Sequence, residues 1–251
     1  MHKFRFGAIA AAIALVISQI AMADSGGSPT VPLPTLTAEW WQWTASIPDV
    51  PGAPNPTSDT TGASCMVGQR GAIWFLVGAG AAGGGGTAIR TCSVPEGTML
   101  FFPVINSVYF NTPDCGQSGQ SFTVKQLRKM VKPLIDNVRN LSVEVVKADG
   151  TNIKNYLLKR VQSEPFAAAF PDENFFGPDA CAAGQALPAG IYSPSVDDGY
   201  YVLIPPLKSG LYDFALSCRI GCVDTGRHIS PNCGSGLTQI SARTVPPQRL
   251  S

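Results

Sequence analysis

Chemistry that runs through imidazole has one opportunity in this chain beyond its extreme N-terminus. The 251 residues contain two histidines, His2 and His228. A serine–histidine–acid arrangement would have to combine His228 with Asp224 and Ser230, which lie close in sequence. No G-x-S-x-G elbow supports it, so a surface-loop histidine is the plainer reading. Redox centres built on two or three imidazoles are excluded by count.

Acid chemistry is less restricted. Glycosidase-type hydrolysis needs two carboxyl groups facing each other across a bond. The glutamates are Glu39, Glu96, Glu144, Glu164 and Glu173, and sequence alone does not bring any two together. Asp172-Glu173 and Asp197-Asp198-Gly199 read as turns whose oxygens could hold Ca²⁺. Neither follows the EF-hand spacing, and solvated turn acids are the simpler reading. A hydrolase would require Asp172, Glu173, Asp197, Asp198 or His228 to converge in one cleft. The run Gly78-Ala79-Gly80-Ala81-Ala82-Gly83 formally matches G-x-G-x-x-G. A dinucleotide fingerprint needs a helix directly after it. More glycines and then Cys92 to Pro95 follow instead, so this reads as a Gly-rich loop, and no cofactor is expected.

The seven cysteines are Cys65, Cys92, Cys115, Cys181, Cys218, Cys222 and Cys233. By residue type Cys218, Cys222, Cys233 and His228 could form a Cys₃His zinc site, but the spacing matches no standard knuckle. Disulfides, with one thiol unpaired, are favoured. Cys65 and Cys92 flank one apolar strand and its loop and form the first expected pair. Connectivity among the others is not legible.

An address signal explains that preference. Lys3 and Arg5 precede an almost unbroken apolar stretch from Gly7 to Ala21, and Ala21-Met22-Ala23 has the small-x-small form read by signal peptidase. Residues 1–23 are therefore expected to be a signal peptide, with the mature protein secreted or periplasmic. No second apolar run is long enough to span a membrane. The chain has 18 basic and 17 acidic residues. Removing Lys3 and Arg5 leaves the two signs nearly balanced, so nucleic-acid binding through counterion release is not expected.

The elements that must position these residues are mostly β. Residues 24–36 read as a flexible leader and 37–251 as a single β-rich domain with a Cys-rich segment at 218–233. Thr37 is placed to cap a short helix through Trp43. Helical spacing puts Trp40 and Trp43 on a core face and leaves Trp41 as an exposed aromatic able to stack on a ligand. Ala72–Val77 and Met99–Val104 read as apolar strands, with Pro103 marking an edge or an end. Thr123–Arg139 has apolar residues at three- and four-residue spacing around Pro133 and is the one strong amphipathic helix. Two hairpins are expected, one joining 142–145 to 156–161 and one joining 200–204 to 211–217. The sum is mainly β, a β-sandwich of jelly-roll or immunoglobulin-like form with one inserted helix, stabilised by disulfides.

A set of motifs runs through this frame. Trp40-Trp41, Asn55-Pro56, Asp59 and Gly62 precede Cys65-x-x-x-Gln69-x-Gly71-x-x-Trp74-Phe75-Leu76. Cys92-x-Val94-Pro95-x-Gly97 and Phe101-Phe102-Pro103-Val104-x-Asn106 follow, then Gly190-x-Tyr192-Ser193, Asp198-Gly199-Tyr200 and Pro206-Leu207-x-x-Gly210. Over residues 38–217 the chain resembles a group of exported microbial proteins of unassigned function. The resemblance implies a shared scaffold and brings no catalytic residue. The chain departs from that pattern in its Gly-rich loop and its Cys-rich tail.

Two functions from different classes fit these residues. The favoured one is an exported, non-catalytic module for binding, adhesion or assembly. Its partner would be an extracellular polymer, a cell-surface component or another copy, joined through an unpaired cysteine or an edge strand. Trp41, Asp197, Asp198 and His228 are its candidate ligand contacts. The other is a secreted hydrolase using a carboxylate pair, or His228 with a hydroxyl.

Overall fold

The computed structural model describes residues 31–78, 88–181, 184–220 and 235–245, and these are mostly β. The signal segment, Ala79–Gly86, Cys222, Asp224, His228, Ser230 and Cys233 lie outside the described residues, as does the Cys218 side chain. Among the described residues, no helix is long and apolar enough to cross a membrane.

Helix α1 (Leu33–Ser46) starts earlier than Thr37, so the expected leader ends in helix. Pro34, in its first turn, needs no N–H there. Its buried side includes Leu36, Thr37, Ala38, Trp40, Trp41, Trp43, Thr44 and Ala45, which is far wider than one stripe. Strand β1 (Ile73–Phe75) pairs in parallel with β3 (Met99–Phe110), while β2 (Ala88–Pro95) lies in another sheet. Helix α2 (Val124–Asp136) opens on a capping box: Thr123 accepts from the Gln126 N–H, and Gln126 accepts from the Thr123 N–H. Pro133 sits in its last turn, and the helix ends three residues later. Val138, expected on the helix, instead begins β4 (Val138–Lys147).

The remaining strands are β5 (Leu157–Gln162), β6 (Phe166–Phe170), β7 (Gly190–Ile204), β8 (Gly210–Ile220) and β9 (Ser235–Val245). One mixed sheet runs β1-β3-β7-β5, with β6 also on β7, and the other runs β2-β9-β8-β4. Both expected hairpins are corrected by this topology. Strand β4 pairs with β8 rather than β5, and β7 and β8 belong to different sheets. Alternating apolar residues define which faces are buried, but several partner strands satisfy that pattern equally well.

Strand β7 organises the core because successive residues point to opposite faces. On one face Tyr201 packs with Phe101, Phe110 and the three tryptophans of α1. On the other, Val202 and Ile204 meet Val145, Tyr212, Phe214 and Leu216 of the second sheet. Further along that same face, Val196 packs against Leu127 and Val131 of α2, and Tyr200 against Ile135. Pro103 lies at a bulge, where the register slips between Pro103 and Ile105. A bulge is one of the few places a strand proline fits.

Among the described residues, two disulfides brace this frame. Cys65 and Cys92 are joined, as their positions suggested, and Cys115 is joined to Cys181 across 66 residues of chain.

Candidate functional site

Asp197 and Asp198 lie in the middle of β7 rather than in a turn, and both are fully buried. Asp197 faces α1. Its Oδ1 accepts from the Trp41 indole N–H at 2.8 Å, and its Oδ2 accepts from the Tyr201 hydroxyl at 2.8 Å. Asn106 Nδ2 donates to that same hydroxyl at 3.0 Å, completing a chain of four side chains. Burial raises the Asp197 carboxyl to about 8, against the opposing pull of the Trp41 and Tyr201 donors. Burial and the neighbouring Asp197 also push the Tyr201 phenol well above its ordinary value.

Asp198 faces the other way. Arg160 grips it through two hydrogen bonds, Nε to Oδ1 at 2.9 Å and Nη2 to Oδ2 at 2.7 Å, and Gln162 adds a third at 3.0 Å. The third guanidinium nitrogen of Arg160 reaches Asp136 at the end of α2 at 2.9 Å. Arg128 of α2 donates to the Asp197 carbonyl at 2.7 Å and to the Ser163 carbonyl. These contacts fasten α2 to β5 and β7. They also occupy the carboxylate oxygens that a metal or substrate would need.

Trp41 is likewise buried rather than exposed. The three indole N–H groups of α1 each find a different partner: Trp40 the Leu76 carbonyl, Trp41 Asp197, and Trp43 the Val67 carbonyl. Asp172 and Glu173 are exposed in the loop after β6, separate in environment from the sealed Asp197 and Asp198. The four acids therefore do not share one solvent-reached cleft. Among the described residues, no three His, Cys, Asp or Glu side chains gather as a metal ion would require.

Other motif residues form structural locks. Buried Asn55 donates to the Thr44 and Ile47 carbonyls, closing the end of α1. Asp59 accepts from the Thr61 and Ser64 N–H groups. Gln69 brackets Phe75, accepting from its N–H and donating to its carbonyl. Buried Arg90 donates to the carbonyls of Asp59 and Val77.

A different region offers room for a ligand. Where β3 ends, a cavity of about 300 Å³ is walled by Val108, Phe110, Gln117, Phe176, Leu187 and the Cys115 half of a disulfide. Among the described residues, none of the side chains lining it carries a charge. Phe176 is 42 % exposed, with Phe175 4.6 Å away and Phe110 edge-on at 5.8 Å. Gln117 is buried and gives its amide nitrogen to the Phe110 carbonyl and Thr112 Oγ1. Its Oε1 is sealed from solvent and has no hydrogen-bond partner among the described residues. Sequence reasoning missed this site, because no motif joins Gln117 to Phe176. The one available signal was the pair Cys115 and Cys181, whose bond draws the two loops together.

Along the same strand, Val104 to Phe110 have β7 on one side and no strand partner on the other among the described residues.

No protein-family model and no curated protein matches the chain. Among solved structures, it is similar to a family 123 glycoside hydrolase from Clostridium perfringens, at 13% identity and a TM-score of 0.26. That match covers 63% of this chain and 23% of the hydrolase chain, so the protein spans under a quarter of that neighbour. It is also similar to Amebosin, at 12% identity and a TM-score of 0.19, over 65% of this chain and 100% of the other. Scores this low establish neither a shared fold nor a shared activity.

Proposed function

We propose that the protein is an exported, non-catalytic binding module, secreted or periplasmic, built as a β-sandwich of jelly-roll or immunoglobulin-like form. Its site is the cleft at the end of β3, and its partner is an extracellular polymer or a cell-surface component. One observation carries the reading. Asp197 and Asp198, two of the acids the sequence offered for chemistry, are sealed in protein hydrogen bonds, while the cavity open to a ligand is walled by uncharged side chains. Such a wall can bind and orient a ligand, and among the described residues it brings no carboxylate or imidazole to the cavity. Two disulfides support export, since such bonds persist in oxidising compartments.

The test is incubation of the purified oxidised protein with immobilised cell-wall and extracellular polymers. Retention of the protein with no release of fragments is the expected result. Fragments whose release is abolished by H228A, or by D172N with E173Q, would establish the hydrolase instead. A second reading, self-assembly by strand addition, is favoured by the unpartnered edge from Val104 to Phe110. Light scattering decides it: a concentration-dependent oligomer broken by a lysine at Ser107, on that edge, would support it, and a monomer at all concentrations would remove it.

A further inference from the structure

We infer that Asp197, Tyr201 and Asn106 form a reversible relay: when Asp197 takes a proton, the Tyr201 hydroxyl reverses its hydrogen bonds and the Asn106 amide turns over. The inference is separate from the binding-module reading and holds whether or not the cleft is occupied.

The hydrogen bonds as they stand belong to an ionised Asp197. Each carboxylate oxygen accepts one, from the Trp41 indole N–H and from the Tyr201 hydroxyl. The hydroxyl in turn accepts from Asn106 Nδ2. A proton added to Asp197 is a new donor for which this pattern has no place. The indole can only donate, so the bond to Trp41 cannot reverse. Of the two partners on the carboxyl oxygens, only the Tyr201 oxygen has a lone pair to offer. An Asp197 O–H must therefore donate to Tyr201, and the phenolic hydrogen must go elsewhere.

Its destination is Asn106. Tyr201 is 2 % exposed, so water does not take the hydrogen, and leaving it unmet is costly. Turning the Asn106 amide exchanges nitrogen for oxygen in nearly the same shape, and Oδ1 then accepts from the hydroxyl. Asn106 is half-buried, so the end of the amide that leaves Tyr201 is turned toward water. One proton is taken from solvent, and no covalent bond besides that O–H is made or broken.

Few charges compete with this exchange. Asp198, next in the chain, disfavours the Asp197 charge, and Arg128 of α2 favours it. Asp198 is itself held by Arg160 on the other face of the sheet. From α1 the facing side chain is Trp41, and Glu39, the acid of that helix, is exposed. Ser163, after β5, meets the Asp197 N–H with a hydroxyl, and β3 contributes the uncharged Asn106. Burial raises the Asp197 carboxyl to about 8, which brings the exchange into an accessible range of pH.

The relay thus carries the state of a sealed carboxyl out to β3. Below the midpoint Asn106 turns its NH₂ group outward, and above the midpoint its oxygen. Val108, two residues on and on the same face of the strand, lines the cleft. The cleft therefore borders a group that donates at low pH and accepts at high pH.

The test is NMR of the full oxidised protein from about pH 4 to about pH 10, following the Asp197 carboxyl carbon and the Asn106 side-chain amide. Both are expected to change with one midpoint near 8. Above it an Asn106 N–H should exchange with water about five- to tenfold more slowly than a free asparagine amide at the same pH, and below it that protection should vanish. Base-catalysed exchange alone runs the other way. D197N should keep the low-pH pattern throughout, because Trp41 fixes its amide oxygen and leaves its NH₂ facing Tyr201. Y201F should leave Asp197 titrating at a higher midpoint, with an Asn106 amide that no longer follows it. Thermal melting checks that Y201F folds, and the pH series on the natural protein stands without it. An Asp197 that titrates while the Asn106 amide stays unchanged would overturn the relay. So would an Asn106 response that survives Y201F, or a carboxyl that keeps one state across the whole range.

Discussion

Asp197 and Asp198 are chain neighbours whose side chains serve opposite sides of one sheet. Asp197 is bonded to Trp41 under α1, and Asp198 is clamped by Arg160 under α2. The strand alternation that separates them also means they cannot act as a carboxylate pair. Each is instead the polar centre of a different packing layer, with its own hydrogen-bond partners.

The Asp197 side has a pH signature. In the folded protein its carboxyl sits at about 8 rather than the ordinary 3.8, because burial disfavours the charge. Between those values the folded state holds a proton that the unfolded chain has released. Its stabilising contribution is complete below about pH 4 and is lost as the pH rises through 8, at up to about 1.4 kcal/mol per pH unit. Asp149, held to about 2 chiefly by the Thr151 side chain, acts in the opposite sense, but only in acid. D197N mimics the protonated form. Urea unfolding from about pH 5 to pH 8 should show a falling stability for the natural protein and a flatter line for D197N.

On the Asp198 side, removing the clamp should be costly. R160A strands a fully buried carboxylate, and a loss of about 2–5 kcal/mol is expected by denaturant unfolding. R160A combined with D198N should recover part of that loss. If the double variant is no better than the sum of the single ones, the pair is not energetically coupled.

Gly199 explains how Asn106 reaches Tyr201. A Cβ at Gly199 would lie 2.6 Å from the Asn106 Cβ and 2.8 Å from the Ile105 carbonyl oxygen, and a backbone atom cannot step aside. G199A should cost about 1–3 kcal/mol by overpacking. It should also shift the Tyr201 ring resonances, which report loss of the Asn106 contact.

The Cys115–Cys181 bond should matter to the cleft beyond its share of stability. Replacing both cysteines by serine is expected to cost about 2–4 kcal/mol, and to weaken any ligand binding that depends on Phe176. Replacing Cys65 and Cys92 should lower stability without that loss of affinity. Calorimetric titration of both double variants separates the two effects.

Local signals were legible wherever the physics was local. The start of the amphipathic helix at Thr123, the apolar runs that became β1 and β3, and the Cys65–Cys92 pair all depend on residues close in sequence. Pairing partners were not legible, because period-two alternation says which face is buried and not which strand lies alongside. Hence both expected hairpins dissolved into different sheets. Trp41 was misread for a related reason. A helix wheel marks a single core face, and α1 is covered on several sides by elements distant in the chain.

Composition and spacing by themselves established a mostly β chain, the want of imidazole-rich centres, and the acids worth watching. Only the tertiary structure decided what those acids do. A carboxyl group in a strand faces solvent or core according to its register, and its partners, Trp41 for one and Arg160 for the other, come from elsewhere in the chain. The cleft beside Gln117 and Phe176 was decided at that level alone. It exists because a disulfide brings two loops 66 residues apart to the end of one strand, a juxtaposition that no local pattern encodes.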